Sequence, residues 1–465
     1  MTQPKTLGEL KRSGYKPLSV KAELRKNLIR KMLDREPLFP GIFGFEETVI
    51  PQVQNAILAG QDMIFLGERG QAKTRLIRSL TSLLDPEMPY VEGSEINDDP
   101  FAPISKYAQD MVAKHGDDTP IAWLARDDRY GEKLATPDVT TPELIGEVDP
   151  IKVAEGRYLS DELVIHYGLI PRTNRGIFCI NELPDLSEKL QVGLFNIMQE
   201  RDVQIRGFRV RLPLDICVVA SANPEDYTNR GRIITPLKDR YGAQIRTHYP
   251  KQIDIEINIM DAERSPLLTS DGYRVTVPQF MKEIIAETTS MAREHADINQ
   301  RSGVSVRMSI ANYESMLGNA LRRTILLRED EVVPRISDLS SIIPSSSGKI
   351  ELETVEEGKE GQIIDELVKK AVKKVFGKHF RSDDFASFLQ HFTSGRSLEV
   401  SDTMPTAVYS QKSHGLGGLH EAFQRLEMLE SAATMASALE FILEGLHLNK
   451  KLNKKVLEGE ISYWG

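Results

Sequence analysis

Three short apolar runs organise the first half of the chain: Met63-Ile64-Phe65-Leu66, Ile177-Phe178-Cys179-Ile180 and Ile216-Cys217-Val218-Val219-Ala220. Each is nearly continuous rather than alternating, the pattern of a strand buried on both faces. Across residues 37–250 such runs, bounded by Gly, Pro or Asp, alternate with helical patterns. That predicts an α/β fold with a mostly parallel sheet core flanked by helices. Across 251–343 the apolar positions fall at helical spacing, as in Phe280, Ile284, Ile285 and again Ile310, Met316, Leu317, Leu321. A smaller helical domain is expected there.

The remainder, 344–465, reads as a mostly helical C-terminal extension. Pro344-Ser345-Ser346-Ser347-Gly348 marks a break, and the acidic stretch Glu351 to Glu360 is expected to be exposed. Ile363, Ile364, Leu367, Val368, Ala371, Val372 and Val375 form one helical stripe, and Phe423 to Leu448 a second. Between them Ser401 to Gly418, rich in Ser, Thr, Gly and Pro, reads as a mobile loop. At the other end, residues 1–36 form a basic helical arm, in which Lys11, Arg12, Lys16, Lys21, Arg25, Lys26, Arg30 and Lys31 punctuate Leu24, Leu28, Ile29 and Met32. The pattern fits an amphipathic helix docked on its own or a neighbouring subunit, with nucleic-acid binding as the alternative.

Composition narrows the class. At 465 residues, 40% hydrophobic and 27% charged, the chain has the make-up of a soluble protein of several domains, and its net charge of −9 makes no demand for nucleic acid. Cys179 and Cys217 sit inside the apolar runs without CxxC spacing, which predicts core thiols of a reducing compartment. The N-terminus lacks an apolar signal region, and no stretch approaches the roughly 18 apolar residues of a membrane span. The expected location is the cytoplasm.

The candidate chemistry begins where the first run ends. Gly67-Glu68-Arg69-Gly70-Gln71-Ala72-Lys73-Thr74 joins that strand to the helical Leu76-Ile77-Arg78-Ser79-Leu80, the strand–loop–helix order of a phosphate-binding loop. The glycines let the backbone N–H groups wrap a phosphate, Lys73 reaches the β- and γ-phosphates of ATP, and Thr74 binds Mg²⁺. Ala72 stands where a strict motif has glycine. A glycine-containing turn without ligand is the alternative for this loop taken by itself.

Other strand ends supply the missing partners. Gly176 to Asn181-Glu182 is an apolar strand closing on a polar pair, with Glu182 placed to orient the attacking water and Asn181 near the metal. Aspartate is usual in place of Asn181. An amide holds a metal-bound water but brings no charge, so weaker Mg²⁺ binding is expected, with hydrolysis retained through Glu182. The third run ends in Ser221-Ala222-Asn223-Pro224, where Asn223 either senses the γ-phosphate or simply forms an Asn-Pro turn. Leu237-Lys238-Asp239-Arg240-Tyr241 offers Arg240 to a neighbouring subunit's γ-phosphate, a role Arg230 and Arg232 are near enough to share. Arg307, in Gly303-Val304-Ser305-Val306-Arg307, opens a helix from which it either touches the phosphates or stays solvated.

The order of these parts resembles one branch of the AAA+ ATPases, the magnesium-chelatase ATPase subunits and their MoxR relatives. The resemblance spans roughly residues 37–343. Leu144-Ile145-Gly146-Glu147-Val148-Asp149-Pro150-Ile151-Lys152, through Tyr167-Gly168-Leu169-Ile170-Pro171 to Asn174-Arg175-Gly176, resembles the hairpin insertion of the chelatase group. Leu194-Phe195-Asn196-Ile197-Met198-Gln199-Glu200-Arg201 and the loop with Ala72 look more like MoxR. The insert Asn97 to Thr141 and the C-terminal extension match neither, and His115 and His166 are too isolated to form a metal or porphyrin site.

The resemblance implies a P-loop AAA+ core with a helical lid domain, ATP and Mg²⁺ as cofactors, and a ring homo-oligomer, commonly a hexamer. In it Lys73, Thr74, Asn181, Glu182 and Asn223 act on ATP, Arg240 completes the next subunit's site, and Arg307 follows nucleotide state in the lid. Such motors remodel a partner that often carries a von Willebrand A domain. This chain has no DxSxS motif, so that partner is expected on a separate chain. Three alternatives stay open: the ATPase subunit of a true magnesium or cobalt chelatase, a nucleotide-gated assembly protein with little hydrolysis, and an AAA+ transcription regulator. The last lacks a Gly-Ala-Phe-Thr-Gly-Ala loop and a helix-turn-helix segment.

Overall fold

A computed structural model describes residues 3–149, 151, 162–200, 202–204, 211–223, 232–266, 272–300, 302–353, 358–414, 416–429, 431–457 and 460–465. The chain divides into two compact units, Met1–His248 and Tyr249–Gly465.

The first unit is built on a five-stranded sheet in the order Ala243–Arg246, Met63–Leu66, Ile216–Ala222, Gly176–Asn181, Tyr130–Leu134. Every pairing in it is parallel. The continuous hydrophobicity of the central runs now has its reason. Met63, Phe65, Ile177, Cys179, Cys217 and Val219 enter one apolar cluster, while the alternate residues Ile64, Phe178, Ile180, Val218 and Ala220 enter another. Both faces are covered, so neither register of side chains meets water. Burial of each such side chain contributes about 1.5–3 kcal/mol.

The N-terminal arm docks on this unit. Ser19 caps the helix Val20–Leu33 by accepting from Ala22 N, and Val20, Leu24 and Leu28 join Met63 and Phe65 in the first cluster. Glu23 of that helix forms a buried two-point pair with Arg129, at 2.8 and 2.6 Å, just before the strand Tyr130–Leu134. Ile29 and Met32 stay exposed.

The segment from Asn97 to Thr141 has elements of its own. It holds the helix Lys106–His115, the strand Ile121–Ala125 paired antiparallel with Glu87–Val91, and the edge strand of the main sheet. The expected hairpin is present as Gly146–Val148 against Ile165–Tyr167. Gly146 is required there, since it has φ +124° and a Cβ would lie 2.4 Å from the His166 carbonyl oxygen. A second antiparallel pair, Asp202–Gln204 with Arg211–Pro213, follows it.

In the second unit the helices Gln279–Ala292, Arg307–Leu327, Lys359–His379 and Ala432–Leu448 share one apolar cluster running from Ile257 to Tyr463. Phe280 and Phe441 stack at 4.3 Å between ring centroids. Gly445 lets two of these helices approach, since a Cβ there would meet the Phe376 ring at 2.0 Å. Three readings of this half are corrected. Ser401 to Gly418 is not a plain loop: Thr406–Ser413 is helical, held by Tyr409, whose buried hydroxyl donates to Glu440 at 2.5 Å. Pro344 to Ser347 lies within the short helix Ile342–Ser347, where proline is tolerated in a first turn, and the break comes at Gly348. The stripe from Phe423 to Leu448 is two helices, Leu419–Arg425 and Ala432–Leu448, the second begun by a capping box at Ser431. A three-stranded antiparallel sheet, Ser397–Ser401, Glu460–Trp464 and Asn453–Leu457, completes the unit. Among the described residues no helix is long and apolar enough to cross a membrane.

Candidate functional site

The loop Gly67 to Ala72 leaves the strand Met63–Leu66 and enters the helix Lys73–Ser79. Gly70 and Ala72 both take left-handed backbone angles, φ 75° and 56°. This explains why glycine is usual in place of Ala72, and an alanine there bears a cost of about 1–2 kcal/mol. Left-handed residues alternating with ordinary ones turn successive N–H groups into one concavity, the geometry that binds phosphate. Gly67 has no room for a side chain, because a Cβ would sit 1.9 Å from Thr247 Oγ1 and 2.3 Å from Gln71 Oε1. Gln71 ties the loop shut by accepting from Glu68 N at 3.1 Å and from Thr247 Oγ1 at 2.7 Å. Beside it, a cavity of about 380 Å³ is lined by Glu68, Gln71, Lys238, Gln244 and Arg246, among others.

Lys73 is buried, and its ammonium donates to the carbonyls of Gly67 and Glu68 and to Asn223 Oδ1, the last at 2.6 Å. Asn223 then donates through Nδ2 to Glu182 Oε2 at 2.9 Å. The first residue of the loop helix and the residues just past the ends of two adjacent parallel strands are thus linked in one row. Glu182 stands half-exposed with φ 55°, a left-handed angle rare outside glycine that lifts its carboxylate out of the strand direction. Its backbone N–H donates to Ser221 Oγ at 3.3 Å.

Asn181 is turned another way. Its Oδ1 accepts from Ser221 Oγ at 3.1 Å and from the Cys179 thiol at 3.6 Å, while its Nδ2 donates to Glu132 Oε1 at 2.6 Å. The amide's orientation follows from these partners. Glu132, on the edge strand Tyr130–Leu134, also accepts from Arg78 at 2.8 and 2.9 Å and from the Tyr130 hydroxyl at 3.0 Å. Burial alone would raise its carboxyl, but hydrogen bonds from Arg78, Tyr130 and Asn181 hold it below the ordinary carboxylate value. Cys179 and Cys217 are free and buried, and burial pushes both thiols up to about 12.

The remaining predicted residues are spread out. Thr74 is half-buried in the first turn of the loop helix. Arg240 ends the helix Thr235–Arg240, exposed, with its guanidinium 5.4 Å from the Phe195 ring centroid. Arg232 is exposed as well. Arg201, Pro224 and Arg230 lie outside the described residues. Arg307 is the exposed first residue of its helix in the second unit. Hydroxyl and carboxylate oxygens from Thr74, Glu182 and Glu132 are the hard donors that Mg²⁺ takes, so the residues of this unit fit that ion in kind. Glu132, Ser221 and Thr247 had no assigned role in the sequence; Ser221 and Thr247 lie at or just past strand ends, while Glu132 sits mid-strand with no signal to mark it.

The parallel sheet with flanking helices and the loop-bearing strand near one edge has the AAA+ P-loop fold. Residues 159–237 match the family model of the Sigma-54 interaction domain. The magnesium-chelatase subunit ChlI of Nostoc sp. is 24% identical over 74% of this chain and 91% of its own length. The chloroplastic subunit ChlI of Nicotiana tabacum is 23% identical, over 70% and 78%. Among solved structures, one from the complex of the magnesium-chelatase subunits BchI and BchD is 19% identical, covers 71% of this chain and 98% of that one, and has a TM-score of 0.36. The chain has the AAA+ P-loop fold and is similar in sequence to magnesium-chelatase ATPase subunits.

Proposed function

We propose that the chain binds ATP with Mg²⁺ at Gly67 to Thr74 and cleaves it to ADP and phosphate, as the motor of a ring that remodels or activates a partner protein. The observation that carries this reading is the row Lys73–Asn223–Glu182. Lys73 and the loop N–H groups bind and neutralise the phosphates, Thr74 serves the metal, and Mg²⁺ supplies charge neutralisation on the phosphate oxygens. Glu182 orients the attacking water and accepts its proton. Asn223, bonded to both Lys73 and Glu182, reports on the γ-phosphate. Arg240, exposed at a helix end, reaches the neighbouring subunit's site, and Arg307 moves with nucleotide state in the lid.

In this reading the partner is a separate chain with a von Willebrand A domain, and the protein is a cytoplasmic, MoxR-like chaperone. The magnesium-chelatase relatives favour a second version, in which the same motor drives metal insertion into a tetrapyrrole through other subunits. Nucleotide binding and assembly test the common core. Wild-type protein is expected to bind MgATP and form a ring with it, and Lys73→Ala to lose both. ATP binding unaffected by Lys73→Ala would sink the reading.

A further inference from the structure

An aspartate is the usual carrier of negative charge at the position of Asn181, and this strand lacks it. The charge is nevertheless close by. Glu132 Oε1 lies 2.6 Å from Asn181 Nδ2, across the parallel pairing of Tyr130–Leu134 with Gly176–Asn181. We propose that Asn181 and Glu132 are an exchanged pair, in which Glu132 supplies from the neighbouring strand the negative charge that the Mg²⁺–nucleotide site lacks at Asn181. The proposal rests on the nucleotide-binding reading above.

The contact itself explains the exchange. Aspartate in place of Asn181 would set a carboxylate oxygen where the amide nitrogen now donates, 2.6 Å from Glu132. Two carboxylates at that separation do not both ionise. The two strand positions together carry one negative charge, and the amide is the neutral partner able to donate to it. Ser221 completes the orientation, since its hydroxyl occupies Asn181 Oδ1 and leaves Nδ2 for Glu132. Glu132 is also tied to the phosphate loop, because Arg78 belongs to the helix that begins at Lys73. Arg78 is 63% exposed, so water screens its two-point pair with the 20%-exposed Glu132. Glu132 is a positioning and charge-bearing residue here, while Glu182 remains the group that meets the water.

The test is calorimetric ATP binding to the full chain across a Mg²⁺ series, reading the Mg²⁺ concentration at which binding is half enhanced. Glu132→Gln should raise that midpoint about tenfold, the scale of losing an outer partner of a metal site. Asn181→Asp alone should leave it near wild type, because one of the two crowded carboxylates is protonated and the pair still carries one negative charge. The double variant Glu132→Gln/Asn181→Asp should return to within about threefold of wild type, since coupled neighbours are non-additive. Arg78→Ala does not raise the midpoint if the charge matters, and copies Glu132→Gln if Glu132 is only a latch for the loop helix. That variant and the double variant decide the matter even where Glu132→Gln fails to fold. Mg²⁺-enhanced binding with a midpoint insensitive to residue 132, or a double variant as weak as Glu132→Gln, overturns the exchange while leaving nucleotide binding intact. A wild-type chain that binds no ATP at any Mg²⁺ concentration overturns the nucleotide reading, and this proposal with it.

Discussion

Asn223 Nδ2 lies 2.9 Å from Glu182 Oε2, so the amide at one strand end holds the carboxylate at the next. The same amide accepts from Lys73 through its oxygen at 2.6 Å. Asn223 therefore touches both others, and it couples the phosphate-binding loop to the group assigned to water.

That coupling predicts the phenotype of Asn223→Ala. Removing one oriented donor from a transition-state site costs about 10²–10³ in turnover. Phosphate release should fall by that factor while ATP affinity, which rests on the loop and Lys73, changes only a few-fold. Equal losses in affinity and turnover would place Asn223 in binding instead.

Arg240 is predicted to act in trans. Arg240→Ala should lower turnover by about 10³ with ATP binding retained, the scale of an inserted arginine. Mixing it with Glu182→Gln should restore activity, since some interfaces then pair an intact Glu182 with an intact Arg240. Two inactive variants that stay inactive together would refute the trans role.

The ion pair of Glu23 with Arg129 is a stability element. Arg129 is 1% exposed, so Glu23→Ala would strand a buried guanidinium. The expected loss is about 3–5 kcal/mol of unfolding free energy. A urea midpoint unchanged from wild type would show that the N-terminal helix does not contribute to the fold of the first unit.

Glu283 sets an acid limit on the second unit. Burial alone would raise its carboxyl, but hydrogen bonds from His379 and Lys378, at 2.9 and 2.6 Å, hold it below the ordinary carboxylate value. A depressed folded value contributes stability above the unfolded one, and that contribution is lost as pH falls through the folded value. Urea midpoints of wild type should therefore drop below about pH 4.5 more steeply than those of Glu283→Gln. Parallel curves would exclude Glu283 from the acid transition.

The three central strands were legible because burial on both faces leaves an unbroken apolar run in each. The two outer strands were not. Tyr-Gly-Glu-Lys-Leu at 130–134 and Ala-Gln-Ile-Arg at 243–246 lie at the sheet edges, where part of each strand meets solvent and polar residues are admitted. Glu132 was hidden for that reason, since nothing marks a carboxylate on an unrecognised strand as part of a site. The C-terminal strands were missed for a related cause: Asn453–Leu457 is largely exposed, and its lysines read as a solvated tail. Thr406–Ser413 is a helix made by tertiary burial of Tyr409 rather than by local propensity.

The central claim is that Lys73, Asn223 and Glu182 form a working ATP-cleaving site. The direct measurement is steady-state phosphate release by the full chain at saturating MgATP, with Glu182→Gln assayed alongside. The account predicts measurable turnover by wild type and a loss of at least about 10²-fold in the variant, with MgATP still bound. Wild-type release no higher than that of Glu182→Gln would contradict it.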